Sequence, residues 1–212
     1  MTDEMTDITN LIEAVDKADS ADKLLEAVEN LADAGSEAAI PTLIQVLGFN
    51  NPGAAVAAVE GLIKIGDPAV PYLLKSLDDY NYGARAWSLR AFAGIGDPVA
   101  LDLLLKAAVT DFSQSVRRAA ARGLGIVKWH KLAPESRLPA RQSALNTLMM
   151  AIEDGEWVVR YAAIVALQSL GLAQPDFIPE IDNKLSQTIE KEPEIGVKAR
   201  AELALNQLIS QK

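Results

Sequence analysis

The sequence predicts an all-α fold, a right-handed α-solenoid of stacked helical hairpins. Three observations predict it. Half of the 212 residues are hydrophobic but only 5% are aromatic, and alanine, the strongest helix former, supplies much of that half. The tetrapeptide Ile65-Gly66-Asp67-Pro68 returns thirty residues later as Ile95-Gly96-Asp97-Pro98. An acid also precedes a base by six residues four times: Asp79 and Arg85, Asp111 and Arg117, Asp154 and Arg160, Glu192 and Lys198.

The chain reads as a single solenoid domain over 1–212. Residues 1–37 form an N-terminal capping helix pair, roughly 7–18 and 21–34, with Asp7 and Ser20 as N-caps. About five repeats follow over 38–209, placed at 38–68, 69–98, 99–142, 143–175 and 176–209. In each, a first helix is apolar at helical spacing, as in Val70, Leu73, Leu74 and Leu77. A short turn then carries the acid. The second helix begins near the base and runs through small residues, as from Val116 to Leu124. Gly-Asp-Pro ends that helix, because Gly suits a C-terminal cap and Pro a restart. Asn51-Pro52-Gly53 reads as a turn. Residues 128–141 break the period and form a polar, Pro-containing insertion, expected as a loop. Aligned on the base, the second helices put Leu89, Ala121 and Ile164, and Phe92, Leu124 and Leu167, at buried positions. Helix pairs with a turn acid, a Val-Arg step and a small-residue second helix resemble HEAT-type repeats, which bury their apolar faces only by stacking.

Composition removes several functional classes. There is no cysteine, hence no disulfide, thiolate nucleophile, Cys-based zinc site or iron–sulfur cluster. One histidine, His130, rules out a multi-histidine metal centre, and no metal-ligand spacing is present. No apolar run approaches the ~18 residues of a membrane span. The N-terminus is acidic, unlike a secretory or transit leader. The expected location is cytoplasmic, with no membrane association. The net charge of −9 is unevenly spread: residues 1–80 carry −11, residues 81–142 carry +6, and residues 143–212 carry −4. Acidic flanks argue against nucleic-acid binding, whereas the basic middle suits a small anion or an acidic partner surface.

The repeated bases Arg85, Arg117, Arg160 and Lys198 are read first as structural, forming a ladder of ion pairs with Asp79, Asp111, Asp154 and Glu192. Binding candidates are bulky or charged residues where the repeat varies: Trp87 with Arg90, Arg118 with Arg122, and Tyr161. These pairs lie at i,i+3 and i,i+4 spacing and are assigned to one groove lined by second helices. Tyr80 and Tyr82 feed it from one turn and Trp157 from another. Arginine forks bind carboxylates and aromatic faces flank conjugated rings, so the set suits a planar, carboxylate-bearing molecule or an acidic protein surface. Solvated arginines and a Trp87 packed between repeats are the plainer reading. His130 follows Trp129 in the insertion and could serve as an acid or base, though a lone loop histidine is usually only exposed.

The segments Tyr80 to Arg90, Gly96-Asp97-Pro98, Thr110 to Ala120 and Trp157 to Ala163 resemble the F-type subunits of cyanobacterial E/F-class bilin lyases, and the resemblance runs from about residue 38 to the end. It implies a lyase active with an E-type partner subunit in a heterodimer, which binds phycocyanobilin and attaches it by a thioether to a cysteine of the apo-phycocyanin alpha chain, reversibly. It implies no cofactor, phycocyanobilin being the substrate. The absence of cysteine fits, since the acceptor thiol belongs to the substrate protein, and it favours attachment without isomerisation. On this reading Arg90, Arg118 or Arg122 pair with the propionates, while Tyr82, Trp87 and Tyr161 flank the rings with Trp157 at the loop. Asp111 is the nearest carboxylate to favour a protonated bilin, although the ladder also claims it. A homodimer in isolation is a further expectation, because an interface for a related subunit can be self-complementary. Two alternatives stay open: a non-enzymatic phycobiliprotein-binding or degradation adaptor, and a generic HEAT scaffold for an acidic or helical peptide.

Overall fold

The computed structural model describes residues 2–77 and 82–210, with side chains from residue 7 onward except that of Tyr82. Among them are twelve α-helices and no strand. They alternate as hairpins: α1 (Thr2–Asp16) with α2 (Ala21–Ala34), α3 (Ile40–Val46) with α4 (Pro52–Ile65), α5 (Val70–Ser76) with α6 (Tyr82–Ile95), α7 (Leu101–Thr110) with α8 (Gln114–Leu124), α9 (Pro134–Ala151) with α10 (Trp157–Ala173), and α11 (Ile178–Lys191) with α12 (Ile195–Ile209). A single 3-10 turn precedes the first helix of every hairpin after the N-terminal one, at Glu37–Ala39, Asp67–Ala69, Pro98–Ala100, Trp129–Lys131 and Pro175–Phe177.

The helices cluster as two compact units, Met1–Ile95 and Gly96–Lys212. In the first, α4 packs between α2 and α6, and α3 packs beside α5. In the second, α10 packs between α8 and α12, and α7 packs beside α9. Second helices thus stack on second helices, which is why their inner positions are small or aliphatic. Leu89, Phe92, Ala121, Leu124, Ile164 and Leu167 are all buried. The stacking is close enough to need glycine: a Cβ on Gly125 would stand 2.6 Å from the Ala166 Cα. On the first helices the apolar spacing is less complete, since Leu73 is fully buried but Leu74 is 37% exposed.

The repeated Ile-Gly-Asp-Pro acts as a stop and a restart. Gly66 and Gly96 have φ of +79° and +70°, values that L side chains rarely adopt. Asp97 Oδ1 then accepts the Val99 N–H at 2.9 Å and opens the next 3-10 turn. Ser20 caps α2 by accepting the Lys23 N–H. Asp7 is not a cap, because α1 begins at Thr2 and passes through it. Asn51 is a cap rather than a turn residue: its Oδ1 accepts the Ala54 N–H at 3.1 Å and Pro52 is the first residue of α4.

The expected loop at 128–141 is mostly helix. Its start is the fourth 3-10 turn, and Pro134 opens α9 at a first-turn position that needs no N–H donor. Pro139 lies inside α9, where it deprives only the exposed Glu135 carbonyl of its helical partner. The extra residues therefore lengthen the first helix of the fifth hairpin, and the boundary expected at 142 falls near 128.

Candidate functional site

Each turn between the helices of a hairpin in the second unit is built around its acid. Asp111, Asp154 and Glu192 each accept the N–H two residues on, from Ser113, Glu156 and Glu194, at 2.8–3.0 Å. Those three residues are the N-caps of α8, α10 and α12. The base then fastens its own turn to the next. Arg117 donates to the carbonyls of Asp111 and Phe112, and forks onto both carboxylate oxygens of Asp154 at 2.7 and 3.0 Å. Arg160 repeats this with the carbonyls of Asp154 and Gly155 and with Glu192, both carboxylate contacts at 2.7 Å. The ladder thus runs from the base of one hairpin to the acid of the following one. Lys198 has no following hairpin among the described residues; it is exposed, and Glu192 is engaged by Arg160. Asp79 lies outside the described residues.

Electrostatics follow this geometry. Burial pushes the Asp154 carboxyl up, but the Arg117 hydrogen bond and the Glu156 N–H outweigh it and hold the group below the usual carboxylate range. The Arg160 hydrogen bond does the same for Glu192, against burial. The bonds to Asp154 and Glu192 in turn raise Arg117 and Arg160.

Of the groove candidates, Trp87 and Arg90 belong to the first unit and Arg118, Arg122, Trp157 and Tyr161 to the second. Arg90 lies 5.5 Å over the centroid of the half-buried Trp87 ring, a cation–π contact. Arg118 and Arg122 are exposed one turn apart on α8, and neither makes an ion pair among the described residues. Tyr161 is 39% exposed on α10, and Trp157, 50% exposed, is the first residue of that helix. Tyr82 opens α6, its side chain lying outside the described residues along with Tyr80. The carboxylate of Asp111, expected to favour a protonated ligand, is engaged in its turn by the Ser113 N–H.

Three further bases of the cationic middle are committed to structure. Lys131 pairs with Asp97 at 2.8 Å. Arg137 donates to the carbonyls of Leu132 and His130. Arg141 donates to Gln174 and lies 5.9 Å over the centroid of the buried Trp129. His130 is exposed. Beside Tyr161, Arg200 on α12 donates to Gln168 on α10, and burial depresses its pKa while Tyr161 opposes the shift. The alignment held its signal, since Arg200 stands two residues past its base, the register of Trp87. No cluster of His, Cys, Asp or Glu able to hold a metal occurs among the described residues. No helix among them is long and apolar enough to cross a membrane.

Hairpins, ladder and stacked second helices define the class. The family model for HEAT repeats matches residues 8–93, 70–139 and 101–206, and the chain is a HEAT-repeat protein. Within that class it belongs to the family of phycocyanobilin lyase beta, or F-type, subunits. It is 52% identical to the phycocyanin alpha phycocyanobilin lyase CpcF of Synechocystis sp. over 92% of this chain and 91% of that one. It is 51% identical to the phycocyanobilin lyase subunit beta of Nostoc sp. over 93% and 98%. A phycobilisome maturation protein of Synechococcus elongatus is 54% identical over 94% and 97%. A chain from the solved complex of CpcE and CpcF of phycocyanin lyase from Nostoc sp. superposes with a TM-score of 0.75 at 51% identity, covering 80% of this chain and 99% of that chain.

Proposed function

We propose that this chain is the F-type subunit of a heterodimeric lyase that joins phycocyanobilin to a cysteine of the phycocyanin alpha chain, working with an E-type subunit in the cytoplasm. The observation that carries this reading is identity of about half along nearly the full length of relatives that bear that activity in their names. The chemistry is addition of the acceptor thiol to the ethylidene of the bilin: a carbon–sulfur bond forms, the thiol proton passes to the tetrapyrrole, and no cofactor is consumed. With no cysteine, this chain cannot hold the bilin by a thioether of its own. Its contribution is binding and orientation, which suppress stray addition and fix the stereochemistry.

Arg118 and Arg122 are the groups that suit the bilin propionates, being exposed, one turn apart and outside the ladder. Tyr161 offers an aromatic face on the neighbouring helix, and Trp87 with Arg90 a second aromatic–guanidinium surface in the first unit. The test is co-expression with the E-type subunit, a bilin source and the apo alpha chain. Covalent, zinc-fluorescent alpha chain that depends on this protein is the expected result. Binding to the alpha chain without thioether formation would instead favour an adaptor, and no tetrapyrrole binding at all would leave a generic scaffold.

A further inference from the structure

The contact between α10 and α12 in the second unit carries a cation that the ladder does not explain. Arg200 is half-buried, and its Nη1, out of reach of solvent, has no hydrogen-bond acceptor among the described residues. Its Nη2 donates to Gln168 Oε1 on α10, and Gln168 Nε2 donates in turn to Gln207 Oε1 on α12. The acceptor that holds Arg200 is therefore neutral. Arg117 and Arg160 differ in this respect, since each forks onto a carboxylate. Burial depresses the pKa of Arg200, and the group that opposes the shift is Tyr161 rather than an acid.

A guanidinium taken partly out of water is normally paired, and a buried N–H without an acceptor calls for a cause. Glutamate at 168 would close the pair at no cost in volume. The amide found there holds the guanidinium in place and leaves its charge uncompensated. Tyr161 and Gln168 stand seven residues apart on α10 and share a face, as do Arg200, Leu203 and Gln207 on α12. Tyr161 and Leu203 are both exposed. In the repeat register Arg118 is level with Tyr161 and Arg122 with Val165, which puts the exposed α8 pair on the same side of the stacked helices. An aromatic and an aliphatic surface beside an uncompensated guanidinium fit a molecule with a flat apolar body and a carboxylate.

We propose that Arg200, positioned by Gln168, binds a propionate of phycocyanobilin on the α12 side of Tyr161. The inference rests on the lyase reading above and adds a binding residue outside α8. A turn of the guanidinium about its last side-chain torsions brings Nη1 to the ligand, whose carboxylate supplies both the acceptor and the counter-charge that Arg200 lacks.

The test is titration of the lyase assembled with its E-type subunit, using phycocyanobilin and its dimethyl ester, in which both propionates are masked. Arg200→Gln should bind the free acid about tenfold or more weakly and the ester as wild type does, so the preference for acid over ester shrinks. Gln168→Glu gives Arg200 a carboxylate of the protein's own, as Asp154 does for Arg117. It should raise the unfolding midpoint and lower affinity for the acid while sparing the ester, and it keeps the test open if Arg200→Gln does not fold. Equal weakening of acid and ester by Arg200→Gln would make the residue structural and overturn the inference. So would a wild-type preference for the acid in either variant, even with transfer impaired, because the carboxylate met by Arg200 would then belong to a protein. Both of these results leave the lyase reading standing. Failure of the wild-type assembly to bind either form of the bilin overturns both.

Discussion

The guanidinium of Arg160 forks onto Glu192, 32 residues ahead, with both contacts at 2.7 Å. The Glu192 side chain is only 3% exposed and that of Arg160 14% exposed. The pair is therefore a fastening between hairpins and not a solvated surface bridge. Arg160→Met leaves a buried carboxylate without its cation and should lower unfolding free energy by about 3 kcal/mol. Glu192→Gln should cost less, since the amide still accepts one N–H. A double-mutant cycle read by urea unfolding should return a coupling of about 1–3 kcal/mol. Additive single effects would mean that the fork contributes nothing.

The same forks make stability depend on acid. Asp154 and Glu192 both sit below their usual pKa values in the folded chain. Their contribution is fully present above the unfolded-state pKa of about 4 and is lost as pH falls through the depressed folded values. Denaturation between pH 7 and pH 3 should show stability level near neutrality and falling below pH ~4.5. The Asp154→Asn/Glu192→Gln variant should start lower and show a shallower fall. An equal slope in both proteins would place the acid sensitivity elsewhere.

The ladder was legible because it is periodic: an acid and a base six apart, four times, is visible in any reading of the sequence. Its direction was not, because spacing within a hairpin does not reveal that Arg117 reaches Asp154 rather than Asp111's side chain. The insertion looks like a loop in sequence for a physical reason. Pro134, Pro139 and a run of polar residues look like a loop, yet proline is at home in a helix's first turn, and the polar face of α9 is solvent-exposed. Trp129 lies in that stretch, yet it is buried under Arg141, a base 12 residues on. Of the binding candidates, the exposure of Arg118 and Arg122 followed from helical phase. That Arg117 beside them is committed to the ladder followed from the repeat.

Close approach of the second helices gives a prediction about glycine. A Cβ at Gly125 would meet the Ala166 Cα at 2.6 Å and its Cβ at 2.9 Å, and backbone cannot step aside as a flexible side chain can. Gly125→Ala should destabilise by about 1–3 kcal/mol despite the better helix propensity of alanine. Gly155 has nothing within 4 Å of its notional Cβ, so Gly155→Ala is the control and should stay within about 0.5–1 kcal/mol of wild type. Equal effects at the two positions, measured by thermal unfolding, would refute the packing argument.

Arg118 and Arg122 separate binding chemistry from scaffold. Both are exposed on α8 with no carboxylate partner among the described residues, whereas Arg117 between the same turns is forked onto Asp154. Replacing the exposed pair should therefore leave the fold intact, within about 0.5 kcal/mol at each site. If they take the propionates, Arg118→Gln/Arg122→Gln should weaken phycocyanobilin binding by the lyase about tenfold or more, the loss of one to two charge-assisted hydrogen bonds. Lysine at both positions should recover only part of that, because an ammonium lacks the planar fork. The measurement is a titration of the assembled lyase followed by the visible absorption of the bilin. His130→Ala is the control on the same unit, an exposed imidazole outside α8 that should change neither binding nor transfer. If the glutamine pair binds bilin as wild type does while His130→Ala abolishes transfer, the roles assigned to these residues are reversed.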